Sequence, residues 1–522
     1  MPAGTRHDAS AGARLRRTIA ESVSEVTGTP VADVPADVTL TALGATSLEI
    51  GRVCARLGTV LERPVPLSQM YRTPTVESLA AWLEATAPAA DADAAPGAPA
   101  LHAPDAQAPL SATQAFMFMK HVFNPGDLSL HCVRSWRIAG RPDRAALRAA
   151  VAHVHGKHRY LSAEYQFKDV PYAKPVDVPA PPLAEFLVET EKDARAVLAR
   201  ELARPFNLVT GQVWRAVFVA VRQEHLTLFG FAVHHVAFDG GSAGLMAGDL
   251  ARAYNAFKAG AEPDPAPAPA LAAVAAARDA HLPHVDLDAQ RAYWREAVRD
   301  VTQADFPGGA EAPRGTPCRM VEAPLPDGTV AGVRALARRL GVSPFAVYLS
   351  AYGQTMAELT GSSGFGVGTP VNRRGNTVMF DTVGCAIDIL CLRPETDPQT
   401  PVEEAVTGTA RAVLDAFAAQ DVPVSEVADM KRAPASASRN ALFQTMFVLQ
   451  DNNPGDLPLD GLRSDFFRPD YPGVASEVYT EVWPAADGSA RLVIGYQPDR
   501  ASGDFCRSLA ERFTARLTAY LA

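Results

Sequence analysis

Cysteine is scarce and scattered in this 522-residue chain, with Cys54, Cys132, Cys318, Cys385, Cys391 and Cys506 and no CxxC pair among them. That spacing indicates neither a disulfide scaffold nor a zinc site, and no metal centre is expected. Basic charge is short as well. The formal net charge is −9, which argues against nucleic acid as a main partner, because phosphate binding needs a basic face. No apolar run approaches the roughly 20 residues of a membrane helix, and the N-terminus has no secretory h-region. The expectation is a soluble, cytoplasmic protein with reduced thiols and no membrane partner. One compact core is excluded at this length, and about two to four domains are expected.

What is present centres on Leu226 to Gly240, LTLFGFAVHHVAFDG. The apolar run through Val233 is too short to span a membrane and too rich in Leu, Phe and Val for a loop, so it reads as a buried strand. Val213 to Val221 reads as its partner, with Arg222 to His225 as the bend of a hairpin. The strand ends in His234 and His235, whose side chains should point to opposite faces, so only one can work in a cavity. A single histidine at a strand end is most often a hydrogen-bonded structural residue. Two of them followed by Asp239, Gly240 and Ser242 make a narrower pattern. Asp239, if buried, needs a cationic partner. The preceding strand offers Arg215, and an Arg215–Asp239 pair that fixes the histidine loop is the expectation.

This pattern resembles the HHxxxDGxS signature of nonribosomal peptide synthetase condensation domains. The resemblance implies that the second histidine, His235, lines a tunnel where an acyl thioester meets its acceptor. Asp239 is then structural, and His234 and Gly240 complete the catalytic motif. The chemistry suits the residue. A neutral imidazole, with a reference pKa of about 6.5, can take a proton from an acceptor amine near pH 7. General-base help of this kind contributes roughly 10²- to 10⁴-fold. Holding two tethered substrates in line supplies larger factors, so His235 is read as a base and an orienting group.

A small helical unit precedes this region. Leu15, Ile19, Val23 and Val26 recur at helical spacing and end at Gly28-Thr29-Pro30, a stop followed by a breaker. Leu43-Gly44-Ala45-Thr46-Ser47-Leu48 then opens a second helix, where a serine is by default an N-cap. Thr73 to Leu83, TPTVESLAAWL, closes the unit. Together these resemble a carrier protein, which implies that Ser47 bears covalent 4′-phosphopantetheine and that a phosphopantetheinyl transferase is a partner. Thr46 departs from the Asp or His frequent there. Ala87 to Pro109 is Ala, Pro and Asp with almost nothing to bury, and reads as a linker.

Further family motifs are spread from Leu110 to Ala522. Ser111 to Gln114 resembles an opening SxxQ, and His158-Arg159 resembles the RHxxLR segment with Lys157 in place of its arginine. Gly368 to Arg374, GTPVNRR, resembles the GxPVxxR motif. Val383 to Leu390 corresponds to the stretch lining the tunnel opposite the histidines, with Asp388 where asparagine is common. Asp388, and Ser242 of the histidine motif, are tunnel candidates. Leu442 to Phe447 matches an LFQxxF strand that the family uses to pass between lobes. Two departures are Ala419 in place of a histidine, and the absence of a DL pair near Val478-Tyr479.

The expected architecture is multidomain. It has an all-α four-helix carrier bundle (1–86), a linker (87–109) and an α/β condensation domain of two chloramphenicol-acetyltransferase-like lobes (110–283 and 284–522). The expected reaction moves an acyl or peptidyl group from Ser47 to an amine or hydroxyl. The acceptor is a free small molecule or is held on an acceptor carrier protein. No adenylation region is read in the chain, so a trans-acting adenylation or upstream synthase enzyme loads the donor. The rivals are an epimerase, whose EGHGRE-like motif is not found, and a non-catalytic recruitment domain, in which the histidine motif is degenerate.

Overall fold

The computed structural model describes residues 5–86, 106–308, 317–431, 439–451, 455–468, 473–485 and 487–522. Four helices come first, α1 (Thr5–Thr27), α2 (Ser47–Val60), α3 (Leu67–Arg72) and α4 (Val76–Ala85). Their core joins Ile19 and Val23 to Ile50, Val53 and Leu57 and to Leu79 and Leu83. Gly28, at φ +74°, ends α1 in a conformation that glycine adopts without strain. The default reading of Ser47 as a cap does not hold at α2. The N-cap is Thr46, whose Oγ1 accepts from Glu49 N at 3.2 Å while Glu49 Oε2 accepts from Thr46 N at 2.8 Å. This reciprocal box satisfies two helix-end donors at once. Ser47 is therefore the first helical residue, and its hydroxyl is not spent on the cap.

Of the expected linker, 87–105 lies outside the described residues. Its last two residues belong to the fold, as strand β1 (Ala108–Pro109). The first lobe continues with α5 (Ala112–Phe123), β2 (His131–Ala139), α6 (Arg144–Lys157), β3 (Ala163–Phe167), β4 (Pro171–Pro175) and β5 (Ala184–Val188). It ends with α7 (Glu191–Leu202), β6 (Trp214–Val221), β7 (Leu226–His234), α8 (Gly240–Lys258) and α9 (Leu271–Asp279). The β6–β7 pair is the expected hairpin, with Trp214 opposite Val233 and Val221 opposite Leu226. Every residue of β7 is buried, as its unbroken apolar run requires.

The second lobe contains α10 (Leu287–Ala297), β8 (Arg319–Pro324), α11 (Thr329–Leu340), α12 (Pro344–Thr360), β9 (Gly366–Asn372), α13 (Thr377–Phe380) and β10 (Ile387–Leu392). It goes on through α14 (Val402–Ala418), α15 (Val424–Met430), β11 (Phe443–Leu449), β12 (Arg463–Phe467), β13 (Val478–Pro484), β14 (Ala490–Tyr496) and α16 (Gly503–Leu521). Its sheet has the order β10-β9-β11-β13-β14-β8. Gly341 at φ +66° stops α11, and Ser343 caps α12 with Pro344 in the first turn, as the sequence suggested.

The strand that passes between lobes is corrected. The LFQxxF segment is β11, which lies inside the second sheet, parallel to both β9 and β13. The crossing is made by β12, which leaves the second lobe and pairs antiparallel with β2, giving the first-lobe order β12-β2-β7-β6-β5. A strand hydrogen-bonded on both sides has no free edge to offer another sheet, whereas β2 does.

The carrier sits on the second lobe, and its apolar core is continuous with that lobe's core. Tyr71 of α3 meets Phe417 of α14 edge-on, with ring centroids 4.9 Å apart. On α2, a Cβ at Gly51 would lie 2.5 Å from Arg374 O and 3.2 Å from the Phe380 ring. Only glycine lets the two backbones come this close.

Candidate active site

The strand β7 brings the two histidines to the seam between lobes and separates their fates. His234 is fully buried, and its Nδ1 accepts from Val236 N at 3.1 Å. Burial, reinforced by the nearby His121 and His131 rings, holds its pKa well below the ordinary histidine value. It is a neutral structural ring. His235 opens a short 3₁₀ turn (His235–Ala237) and lines a cavity of about 530 Å³ between the lobes. Its Nδ1 is buried with no hydrogen-bond partner among the described residues, and Cys385 contacts the ring. Burial disfavours its protonated form, but contact with Cys385 and the charge of Asp239 outweigh this and raise its pKa.

The turn is held from two sides. Ser111 caps α5 through Gln114 N at 3.1 Å, and Gln114 Nε2 then reaches Val236 O at 2.9 Å. That contact gives the SxxQ motif its purpose. From the other side comes a buried ion pair, and here the expectation is corrected. Asp239 is paired with Arg374, whose Nη2 lies 2.9 and 3.0 Å from its two carboxylate oxygens. Arg215 instead donates to the carbonyls of Leu202, Arg204 and Pro205, with its guanidinium 4.1 Å from the Phe206 ring centre. It stands opposite Ala232 in the hairpin register, short of the end of β7, while Asp239 lies beyond that end and faces the second lobe. Charge–charge contact with Arg374 and hydrogen bonds from Ala386 N and Ser242 overcome burial and lower the Asp239 pKa.

Neither tunnel candidate lines the cavity. Ser242 is buried in the latch, where its hydroxyl lies 2.8 Å from Asp239 Oδ1 and donates to Gly384 O at 2.7 Å. Asp388 lies between Ile387 and Ile389, which face the cavity, so strand alternation turns it away. It accepts from Thr113 Oγ1 at 2.7 Å, and burial raises its pKa. Gly240 borders the cavity mouth in open space. The tighter position is Gly241, where a Cβ would lie 2.8 Å from Arg374 Nε.

The same cavity reaches the carrier, since Ser47 and Leu48 line it together with His235, Asp239 and Gly240. Ser47 is partly exposed, and its hydroxyl has no hydrogen-bond partner among the described residues. These features fit covalent attachment of a phosphopantetheine arm. The residues that sequence reasoning missed are Arg374 and Cys385. Arg374 stood in plain sight in GTPVNRR, but nothing along the chain tied it to Asp239 across 135 positions. The Lys157 departure is absorbed, because its Nζ lies 3.0 Å from Asp249, which also accepts from His158 at 2.7 Å.

Two α/β lobes around a histidine-lined seam, with a carrier bundle at its mouth, define the class. The chain belongs to the condensation domain family, which matches residues 106–473, and the phosphopantetheine attachment site family matches residues 17–83. Among curated relatives, phosphinothricin tripeptide synthetase PhsC of Streptomyces viridochromogenes is 28% identical over 66% of this chain and 33% of its own length. Tyrocidine synthase 3 of Brevibacillus parabrevis is 23% identical over 91% of this chain and 7% of its own length. The chain thus spans about a third of the first and under a tenth of the second. Among solved structures, the X-domain from teicoplanin biosynthesis superposes with a TM-score of 0.69 at 21% identity, covering 80% of this chain and 97% of that one. The first condensation domain of the calcium-dependent antibiotic synthetase gives the same TM-score and coverage at 18% identity.

Proposed function

We propose that this chain transfers an acyl or peptidyl group from a thioester on Ser47 to an acceptor amine, forming an amide, with an alcohol and an ester as the close variant. One observation carries the reading, which is that Ser47 and His235 line a single cavity. The 4′-phosphopantetheine group, when bound, supplies a flexible arm and an activated acyl carbonyl. His235 takes on its imidazole the proton that the acceptor nitrogen sheds on attack, and returns it to the departing sulfur. Asp239 and Arg374 hold the turn that aims the ring. The seat of Gly51 against Arg374 holds the carrier over the cavity mouth, which favours an in-line approach. Apolar walls, among them Met117, Ile389, Phe443 and Met446, keep water from competing for the acyl group.

The partners this implies are a phosphopantetheinyl transferase, an adenylation or synthase enzyme that loads Ser47 in trans, and an acceptor that is free or held on a second carrier. The test is the mass of the Ser47-bearing peptide from producing cells, in wild type and His235→Ala. An acyl-loaded arm that accumulates only in the variant supports the reading. An equally loaded arm in both favours a recruitment role such as the X-domain likeness suggests, and an unmodified Ser47 refutes it.

A further inference from the structure

Arg134 is a cation on the cavity wall with no counter-charge among the described residues. It is 8% exposed and lines the cavity. Its Nη1 donates only to Val133 O, at 2.8 Å, and its Nε is buried without a partner. No acidic side chain pairs with it among the described residues. A guanidinium keeps its charge in a protein interior, and leaving it uncompensated there is costly. The other charges on these walls are accounted for. Lys120 is paired with Asp127 at 3.0 Å and Asp239 with Arg374, Asp429 is exposed, and Asp451 lies near Glu49 of the carrier with its pKa raised by burial to about 6.

Strand register locates Arg134 relative to the chemistry. In β2, His131 stands opposite His234 and Arg134 opposite Phe231. At about 3.3 Å per residue, Arg134 is therefore about 10 Å up the strand from the histidines. Beyond the histidines in the other direction come Asp239, Gly240 and Gly241, and the two glycines share a groove with Leu48 and Arg52 of the carrier. Arg134, His235 and Ser47 of the carrier thus line one cavity, with Arg134 displaced along β2 from the histidines.

We infer that Arg134 binds the carboxylate of the acceptor, and that this acceptor is a free amino acid or similar small amine with a free acid group. The inference rests on the reading that Ser47 supplies the donor. An acceptor already bound to a second carrier has its carboxyl group consumed in a thioester and offers Arg134 no such anion. The planar fork of the guanidinium matches a carboxylate in two-point contact. The phosphodiester of a second carrier's arm is the other anion a tunnel of this kind could meet, and the test separates them.

The experiment is ligand-observed NMR titration of the full-length holo protein with a panel of α-amino acids from glycine to tryptophan, each beside its amide, and with inorganic phosphate. At least one amino acid should bind at least tenfold more tightly than its amide. Arg134→Gln should remove that tenfold preference and leave amide binding unchanged, which also reports that the variant is folded. Arg134→Lys should keep part of it. Equal binding of every acid and its amide, or a preference that survives Arg134→Gln, overturns the inference. Phosphate that binds in an Arg134-dependent way while no amino acid does also overturns it, by assigning the anion to a carrier arm. Binding needs no transfer, so a failure here and a failure of Ser47 to discharge are separate results.

Discussion

Replacing Asp239 by Asn keeps the shape of the side chain and removes its charge, so it isolates what the cross-lobe ion pair does. Asp239 and Arg374 have side chains 1% and 2% exposed, and water cannot compensate the arginine that is left behind. Breaking one partner of such a pair typically costs about 3–5 kcal/mol. The loss should be local at first. Asp239 accepts from Ser242 N at 2.7 Å and from Ala386 N at 2.8 Å, so these amides report directly on whether the latch is closed. Hydrogen exchange measured by mass spectrometry should show protection of the peptides containing Ser242 and Ala386 falling by roughly 10²- to 10⁴-fold, the factor that 3–5 kcal/mol represents. The carrier helices should exchange as before. Arg374→Met should open the same peptides, and the double variant should cost less than the sum of the singles by well over about 0.5 kcal/mol. Additive effects, or an Asp239→Asn variant with unchanged protection at both amides, would refute the claim that this pair holds the histidine turn.

Three further outcomes are expected. The raised pKa of His235 means that the ring stays protonated to a higher pH than an ordinary histidine, and the base form appears only as pH climbs through that value. The pre-steady-state transfer rate from Ser47 should therefore rise with pH and inflect above 6.5, and an inflection below 6.5 counts against His235 as the base. Gly51→Val should leave modification of Ser47 by a phosphopantetheinyl transferase intact. It should slow transfer within the chain on the order of 10²-fold, because the new side chain lifts α2 off Arg374 O. Thr46→Ala should destabilise the carrier by about 1 kcal/mol, read as a lower unfolding midpoint, with Ser47 still modified; blocked modification would make Thr46 part of the attachment chemistry.

Local patterns carried most of the fold, and contacts between distant segments carried what was missed. Both β6 and β7 announced themselves through unbroken apolar runs, and α11 and α12 through periodicity bounded by Gly341, Ser343 and Pro344. The Thr46 cap is legible too, since Thr46 and Glu49 have capping-box spacing, which leaves Ser47 as the first helical residue. Arg215 is near Asp239 in sequence, but the partner, Arg374, lies in the other lobe. Asp388 is a tunnel candidate because its segment corresponds to the tunnel lining, yet facing depends on strand parity, which a one-residue difference inverts.

The strand β12 changes what kind of object the two lobes make. Because it supplies the outer edge of the first sheet from the second half of the chain, the first lobe expressed alone would end on β2, an unpaired strand with its hydrogen-bonding groups bare. Cutting near Pro283 would therefore yield not a smaller soluble unit but a sticky one. The lobes cannot part without unzipping five residue pairs, from Arg463 against Ala139 to Phe467 against Ser135. Anyone seeking to recombine lobes from different relatives inherits that constraint, and the natural unit of exchange is the pair, strap included.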